Sequence, residues 1–152
     1  MSKMSTEIAI QWQSFDQLTA DKLYELLRFR QDIFVVEQAS PYPDLDGLDQ
    51  GAWHLLSRVG GGLAGYLRLI PAPPSVRIGR VAVAPGMRGR GLGRSLIEEA
   101  LGFCRERDAA QDIVLAAQLP LASFYESFGF VVTGEPYDDF GVTHVEMKLL
   151  HS

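Results

Sequence analysis

The sequence predicts a mixed α/β domain built on one sheet, and three observations support this prediction. Apolar residues alternate in some segments, as is typical of strands, and recur every third or fourth residue in others, as is typical of helices. The strand at 75–83, the helix at 91–107 and the strand at 113–117 form one βαβ unit, so these two strands should be parallel. Hairpins precede that unit, which favours a mixed sheet over a doubly wound parallel one.

The predicted elements follow from hydrophobic periodicity and from proline and glycine positions. Pro120 suits a helix start, and Gly129 suits the cap that ends that helix. The segments are, in order, a strand at 7–12, a helix at about 20–35, a loop at 37–49, strands at 52–58 and 63–70, a proline turn at 71–74, a strand at 75–83, a helix at about 91–107, a strand at 113–117, a helix from Pro120, and strands at 130–133 and 142–150.

Length and composition limit the classes of protein to consider. The chain has 152 residues, of which 47% are hydrophobic, and this is enough for a single domain over residues 1–152. The net charge of −5 argues against a nucleic-acid partner and favours a cationic substrate. No apolar run is long enough for a signal peptide or a membrane span, so we predict a cytoplasmic protein with no membrane partner.

Cysteine usage excludes further classes. The single cysteine, Cys104, lies on the apolar stripe of the helix at 91–107, so it is predicted to be part of the core. One cysteine allows neither an internal disulfide nor a cysteine-based metal site, and we predict no metal.

The loop at 37–49 combines two prolines, a glycine and several acidic side chains. Two interpretations of its acidic residues remain open. They are solvated side chains that cap turns, or they form an acidic wall that attracts a protonated amine. The members of that wall are Glu37, Asp44, Asp46 and Asp49.

A glycine-rich loop follows the strand that ends at Val83 and leads directly into a helix. Its glycines are Gly86, Gly89, Gly91 and Gly93. A helix N-terminus presents unpaired N–H groups and a partial positive charge, and glycines let an anion approach the backbone closely. Arg88, Arg90 and Arg94 add full positive charges, so the segment is predicted to bind phosphate.

The spacing of this loop excludes two common phosphate-binding motifs. A P-loop needs Lys and then Ser or Thr after Gly91, where Leu92 and Gly93 stand. A dinucleotide fingerprint that starts at Gly89 needs a glycine where Arg94 stands. The pattern that fits is Arg-x-x-Gly-x-Gly, and an ordinary glycine-rich turn remains the alternative.

This pattern, formed by Arg88, Gly91 and Gly93, resembles the pyrophosphate-binding signature of the GNAT superfamily of N-acetyltransferases. A second segment, Phe124-Tyr125 followed by Gly129-Phe130, resembles the end of the core in that superfamily. Further segments at 34–38, 41–47, 53–55, 79–81 and 143–147 resemble its ElaA-type branch, so the similarity covers most of the chain. It implies a central, mixed, mostly antiparallel sheet of six to seven strands flanked by about four helices.

The resemblance also implies where acetyl-coenzyme A, the co-substrate, would bind. The backbone of Val81 and Val83 would pair with the pantetheine arm, and a bulge near Gly79 and Arg80 would splay this strand from the next. Gln118 would present a polar side chain to the cofactor. The implied diphosphate cradle consists of Arg88, Gly89, Arg90, Gly91, Leu92, Gly93 and Arg94.

The implied general acid is Tyr125, although its place on an apolar helix face also suits a core tyrosine. The candidates for a general base or an amine-binding group are Glu37, His54 and His144, and for each a structural role is the simpler interpretation.

The predicted function is therefore the transfer of an acetyl group from acetyl-coenzyme A to a primary amine, either a small amine or a peptide amine, by direct attack on the thioester. The alternative is a non-catalytic acyl-coenzyme A-binding or sensing module of the same fold. The sequence names no particular amine and leaves open whether the chain forms a homodimer.

Overall fold

A computed structural model describes residues 7–150, and they form one mixed sheet with helices packed on it. The strands are β1 (Ile8–Ser14), β2 (Trp53–Val59), β3 (Gly62–Ala72), β4 (Ser75–Val83), β5 (Asp112–Gln118), β6 (Val131–Val132), β7 (Tyr137–Asp139) and β8 (Val142–Leu149). Their order is β1-β2-β3-β4-β5-β8-β6, and β7 pairs with β8 beside this path. Only β4 and β5 are parallel among these described pairs, so the predicted mixed, mostly antiparallel sheet is confirmed.

The α-helices of residues 7–150 are α1 (Ala20–Gln31), α2 (Leu92–Arg107) and α3 (Ala122–Glu126). The first is shorter than the predicted 20–35, because a π-helical turn at Asp32–Glu37 replaces its last part. A 3-10 turn at Leu119–Leu121 precedes α3, so the α-helix begins after Pro120. Within residues 7–150, no helix is both long and apolar enough to cross a membrane.

Two strand predictions need correction. Residues 71 and 72 belong to β3 instead of the predicted turn, which is confined to Pro73 and Pro74. Pro71 is tolerated because the pairing of β3 with β2 ends at Leu69, so Pro71 needs hydrogen-bond partners on one side only. The short strand β7 was not predicted, and it forms a hairpin with β8.

The core lies between α2 and the sheet. Leu96, Ile97 and Ala100 of α2 are at most 1% exposed. A Cβ built at Gly65 of β3 would lie 3.0 Å from Leu96 Cδ1, so the missing side chain lets α2 approach the sheet. Cys104 is buried in this cluster, as predicted, and burial raises the pKa of its thiol to about 11.

The parallel pair opens into a slot at its carboxyl end. The pairing of β4 with β5 covers only Ser75–Ile78 against Asp112–Leu115. Beyond it, Arg80 has a positive φ of 54°, and the register between β3 and β4 shifts between Tyr66 and Arg68. The predicted bulge near Gly79 and Arg80 is therefore present, and it separates the end of β4 from β5.

Candidate active site

The glycine loop holds the N-terminus of α2 open toward solvent. Gly89 and Gly91 have φ values of 80° and 77°, in the left-handed region that glycine adopts without strain. Gly91 is the N-cap residue, and no side chain of residues 7–150 caps this terminus. The first N–H groups of α2 are therefore available to an anion, as the phosphate-binding prediction requires.

The arginines of the loop have different surroundings. Arg88 forms a bidentate ion pair with Glu37, with nitrogen–oxygen distances of 2.5 and 2.8 Å, and its Nε donates to the carbonyl of Val83. Arg94 lies over the rings of Phe124 and Phe128 and donates to Ser127 Oγ. These two guanidinium groups brace the loop against its neighbours.

Leu92 and Arg90 differ in what they offer to a ligand. The side chain of Leu92 is buried in the core, so this residue offers only its backbone to a ligand. Arg90 is exposed, and no ion pair joins it to another residue in the 7–150 range. The free positive charge of the loop therefore comes from Arg90 and the N-terminus of α2.

A cavity of about 270 Å³ continues from the slot between β4 and β5. The residues that line it include Val81 on β4, Gln118 at the end of β5, Tyr125 and His144. Val83 lies further along β4, and an ideal Cβ on Gly93 would be 3.9 Å from both Val83 Cγ2 and Phe124 Cζ. The α2 N-terminus, the end of β4 and α3 therefore converge beside the cavity.

Tyr125 is 6% exposed and packs edge-on against Phe124 and Phe130. No hydrogen bond joins its hydroxyl to another residue in the described part of the chain. Burial raises the pKa of Tyr125 to about 12. The side chain thus combines a core ring with a protonated hydroxyl that has no hydrogen-bond partner among residues 7–150.

His144 belongs to a row of side chains that crosses three strands. It pairs in register with Gln118 of β5 and with Tyr137 of β7, whose ring stacks on the imidazole at 6.1 Å between centroids. Its Nδ1 lies 2.9 Å from the Val142 carbonyl oxygen. A carbonyl only accepts, so the neutral ring carries its hydrogen on Nδ1 and keeps a lone pair on Nε2.

The other two candidate bases occupy different environments. His54 is fully buried, its Nε2 donates to the Asp49 carbonyl, and its Nδ1 accepts from the Tyr66 hydroxyl at 2.6 Å. Burial lowers the pKa of His54, so the ring is neutral and both nitrogens are occupied. The hydrogen bonds from Arg88 lower the pKa of Glu37, and Glu37 does not line the cavity. The structure therefore brings only His144 of the three candidates to Tyr125.

The aspartates of the loop at 37–49 do not form an open acidic wall. Asp44 and Asp49 are 6% exposed, and both bind the fully buried guanidinium of Arg30. Arg68 bridges Asp46 and Asp49, and Arg80 contacts Asp44 and Asp46. The three arginines balance the three aspartates, so the acidic-wall interpretation is wrong for these positions.

This Arg–Asp network pins the loop against β3 and β4 beside the cavity. Arg80 also donates to the Tyr42 hydroxyl and lies over the Tyr42 ring, 4.7 Å from its centroid. Burial alone would raise the pKa of Asp46, but its hydrogen bonds from Arg68 and the Leu48 N–H lower it to about 2. The loop is therefore a fixed wall of the cavity whose charges are already paired.

Several residues of this region were not predicted from the sequence, although the sequence around some of them holds a recognisable pattern. Arg30 stands four residues after Leu26 and three before Ile33, which places a charge on the apolar face of α1. A charge on such a face indicates a buried partner. Asp139 lies before Phe140-Gly141, and that glycine marks a hairpin turn. Arg68 and Arg77 left no signal beyond their place on strands.

Comparison with known proteins identifies the class to which this fold and site belong. The family model described as "Acetyltransferase (GNAT) domain" matches residues 17–151. The chain is a member of the GNAT acetyltransferase family.

The similar proteins point to one branch of that family. Protein ElaA of Escherichia coli is 35% identical over 145 residues, which are 91% of this chain and 95% of that protein. The crystal structure of E. coli ElaA superposes with a TM-score of 0.88 at 35% identity and covers 93% of this chain and 99% of that one. An acyl-CoA N-acyltransferase from Pseudomonas aeruginosa gives a TM-score of 0.89 at 35% identity, with the same coverage of 93% and 99%. The chain therefore belongs to the ElaA-type branch.

Proposed function

We propose that this protein transfers an acetyl group from acetyl-coenzyme A to a primary amine. The observation that carries the proposal is the convergence of three features. An uncapped helix N-terminus, a strand edge opened by a bulge, and a cavity that holds both Tyr125 and His144 meet at the end of the slot. Together they would provide a site for a diphosphate, an edge for the pantetheine amides and side chains for the transfer itself.

The residues present fit the cofactor. The N–H groups at the start of α2, with Gly89, Gly91 and Gly93, would hold the diphosphate, and Arg90 would add charge. Val83 pairs with Gly65 of β3, and Val81 lies in the register shift between β3 and β4. Neither residue is paired with β5, which leaves an edge for the amides of the pantetheine arm. When bound, acetyl-coenzyme A supplies the acetyl group, which the amine takes by direct attack.

Tyr125 would serve as the hydrogen-bond donor and general acid toward the leaving sulfur. A free thiol has a pKa near 8.5. With a pKa of about 12, Tyr125 stays protonated at physiological pH and can donate throughout the reaction. Complete proton transfer to a free thiolate would be uphill by roughly 5 kcal/mol. Its first contribution is therefore the hydrogen bond, and the proton follows as charge accumulates on sulfur.

His144 would serve as the general base. An amine with a pKa near 10 is largely protonated at neutral pH and must lose a proton before it attacks. The Nε2 of His144 has no hydrogen-bond partner among the described residues and can take that proton, directly or through a water molecule. The bond from Nδ1 to Val142 holds the ring in the tautomer that this role requires.

Replacement of His144 by Ala should lower kcat by about 100-fold or more, because general-base assistance typically contributes at least that factor. Added imidazole should restore part of the rate, since the vacated volume adjoins the cavity. Thiol release from acetyl-coenzyme A over a pH series measures both effects. If activity were unchanged, or lost together with acetyl-coenzyme A binding and without rescue, the role of His144 would be structural.

The experiment that tests the proposed function is a screen of primary amines for acceptor-dependent thiol release. A catalyst releases coenzyme A only when an acceptor is present, and the acetylated amine appears in equal amount. A binding or sensing module would bind acetyl-coenzyme A without acceptor-dependent release. That outcome, with the wild-type chain and a broad panel of small and peptide amines, would favour the alternative function.

A further inference from the structure

The charges around the cavity are balanced with one exception. Arg77 pairs with Glu146 at 2.7 Å, and Arg68 and Arg80 pair with the aspartates of the loop at 37–49. Asp139 also lines the cavity, but neither a hydrogen bond nor an ion pair joins its carboxylate to another residue between 7 and 150. Among the described residues that line the cavity, Asp139 therefore carries the one unpaired negative charge.

The hairpin of β7 and β8 places this carboxylate near the proposed base. Asp139 pairs in register with Val142, and Tyr137 pairs with His144. Paired residues of an antiparallel hairpin lie on the same face, so Asp139 and His144 are diagonal neighbours on the cavity side, about 7–8 Å apart. One short ligand could therefore contact Asp139 with one end and His144 with the other.

The hairpin tip is held in place from the opposite wall. Ser40 Oγ donates to the Phe140 carbonyl at 2.9 Å, and the rings of Tyr42 and Phe140 meet edge-to-face at 5.8 Å. Both contacts are made by Phe140, the residue that follows Asp139. The carboxylate is therefore carried by a braced segment and is partly shielded from solvent.

We propose that Asp139 binds a second, non-reacting cationic group of the acceptor, so that the preferred acceptor is a diamine or another amine with a second positive charge. The inference rests on the proposed function and specifies its substrate class. A single unpaired carboxylate facing a half-enclosed cavity attracts one ammonium group, which it can bind by charge-assisted hydrogen bonds. The reacting amine would then reach His144 and Tyr125.

The test compares linear diamines with monoamines of the same chain lengths as acceptors. In Asp139→Asn, the KM for diamines should rise by about 10- to 100-fold, since hydrogen bonds to charged groups typically contribute that factor. The KM for monoamines should change by less than about 2-fold, because they place no second charge at Asp139. Asp138→Asn is the matched control, since it removes the same charge from the adjacent position.

The side chain of Asp138 lies on the opposite face of β7. Its carboxylate accepts a hydrogen bond from the Gly141 N–H, and an Asn side chain can accept the same bond. Asp138→Asn should therefore leave both acceptor classes unaffected. Equal effects of Asp139→Asn on diamines and monoamines, no effect on either, or a wild-type enzyme that acetylates only monoamines would overturn the inference and leave the proposed function standing. A wild-type chain that acetylates no amine of the panel would overturn both.

Discussion

Replacement of Tyr125 by Phe should lower kcat by about 100-fold or more, because the change removes the proposed proton donor to the leaving sulfur. The affinity for acetyl-coenzyme A should change little. The Tyr125 ring packs against Phe124 and Phe130, and a phenylalanine ring preserves those contacts. Steady-state kinetics of thiol release, combined with calorimetric titration of acetyl-coenzyme A, separates the two effects.

The pH dependence of the wild-type enzyme adds a second test of Tyr125. Burial raises its pKa to about 12, so the donor form persists below that pH, and kcat should not fall between about pH 8 and 10 through loss of this proton.

The matched control for Tyr125→Phe is Tyr24→Phe, since Tyr24 is 70% exposed on α1. Full activity of Tyr125→Phe would show that Tyr125 has only a packing role.

Replacement of Arg30 by Leu should lower the free energy of unfolding by about 3–5 kcal/mol, because it leaves two buried carboxylates without their shared cation. Arg30 is 0% exposed and donates to Asp44, Asp49 and the Asp44 carbonyl. For a domain of this size the loss corresponds to a decrease in Tm of about 6–20 °C. Thermal or urea unfolding followed by circular dichroism measures it.

The matched control for Arg30 is Arg58→Leu. Arg58 forms a bidentate ion pair with Glu25, but this pair lies at the surface, with side-chain exposures of 21% and 40%. Exposed pairs contribute about 0–1 kcal/mol, so the change in Tm should be a few degrees at most. Equal destabilisation by the two replacements would contradict the structural role assigned to the Arg–Asp network.

The conformation of the glycine loop and of the helix after it could be predicted from the sequence because its determinants are local. The stop at Pro85, the glycines that need positive φ, and the helix after them lie within one short segment. Each local rule selects the same structure there, so the strand end, the loop and the helix start needed no tertiary information. The bulge near Gly79 and Arg80 was likewise marked by a glycine inside a strand.

The acceptor side could not be predicted in the same way, because it depends on partners distant in sequence. The sequence alone does not show that Asp44 and Asp49 are buried and paired. Their partners are Arg30 on α1, Arg68 on β3 and Arg80 on β4, and only the fold brings these side chains together. His54 and His144 both stand on strands. Only the fold shows that the first is fully buried, while the second lines the cavity.

Calorimetric and thermal-shift titrations with acetyl-coenzyme A, with ATP and NAD as comparison ligands, determine whether the glycine loop holds coenzyme A. Acetyl-coenzyme A is expected to bind and to stabilise the chain by about 2.7 kcal/mol at about 100 times its Kd, and an S-acetyl pantetheine fragment without the diphosphate is expected to bind much more weakly. Absence of stabilisation by acetyl-coenzyme A well above micromolar concentrations, or equal binding of the fragment, would contradict the assignment of the glycine loop as a coenzyme A cradle.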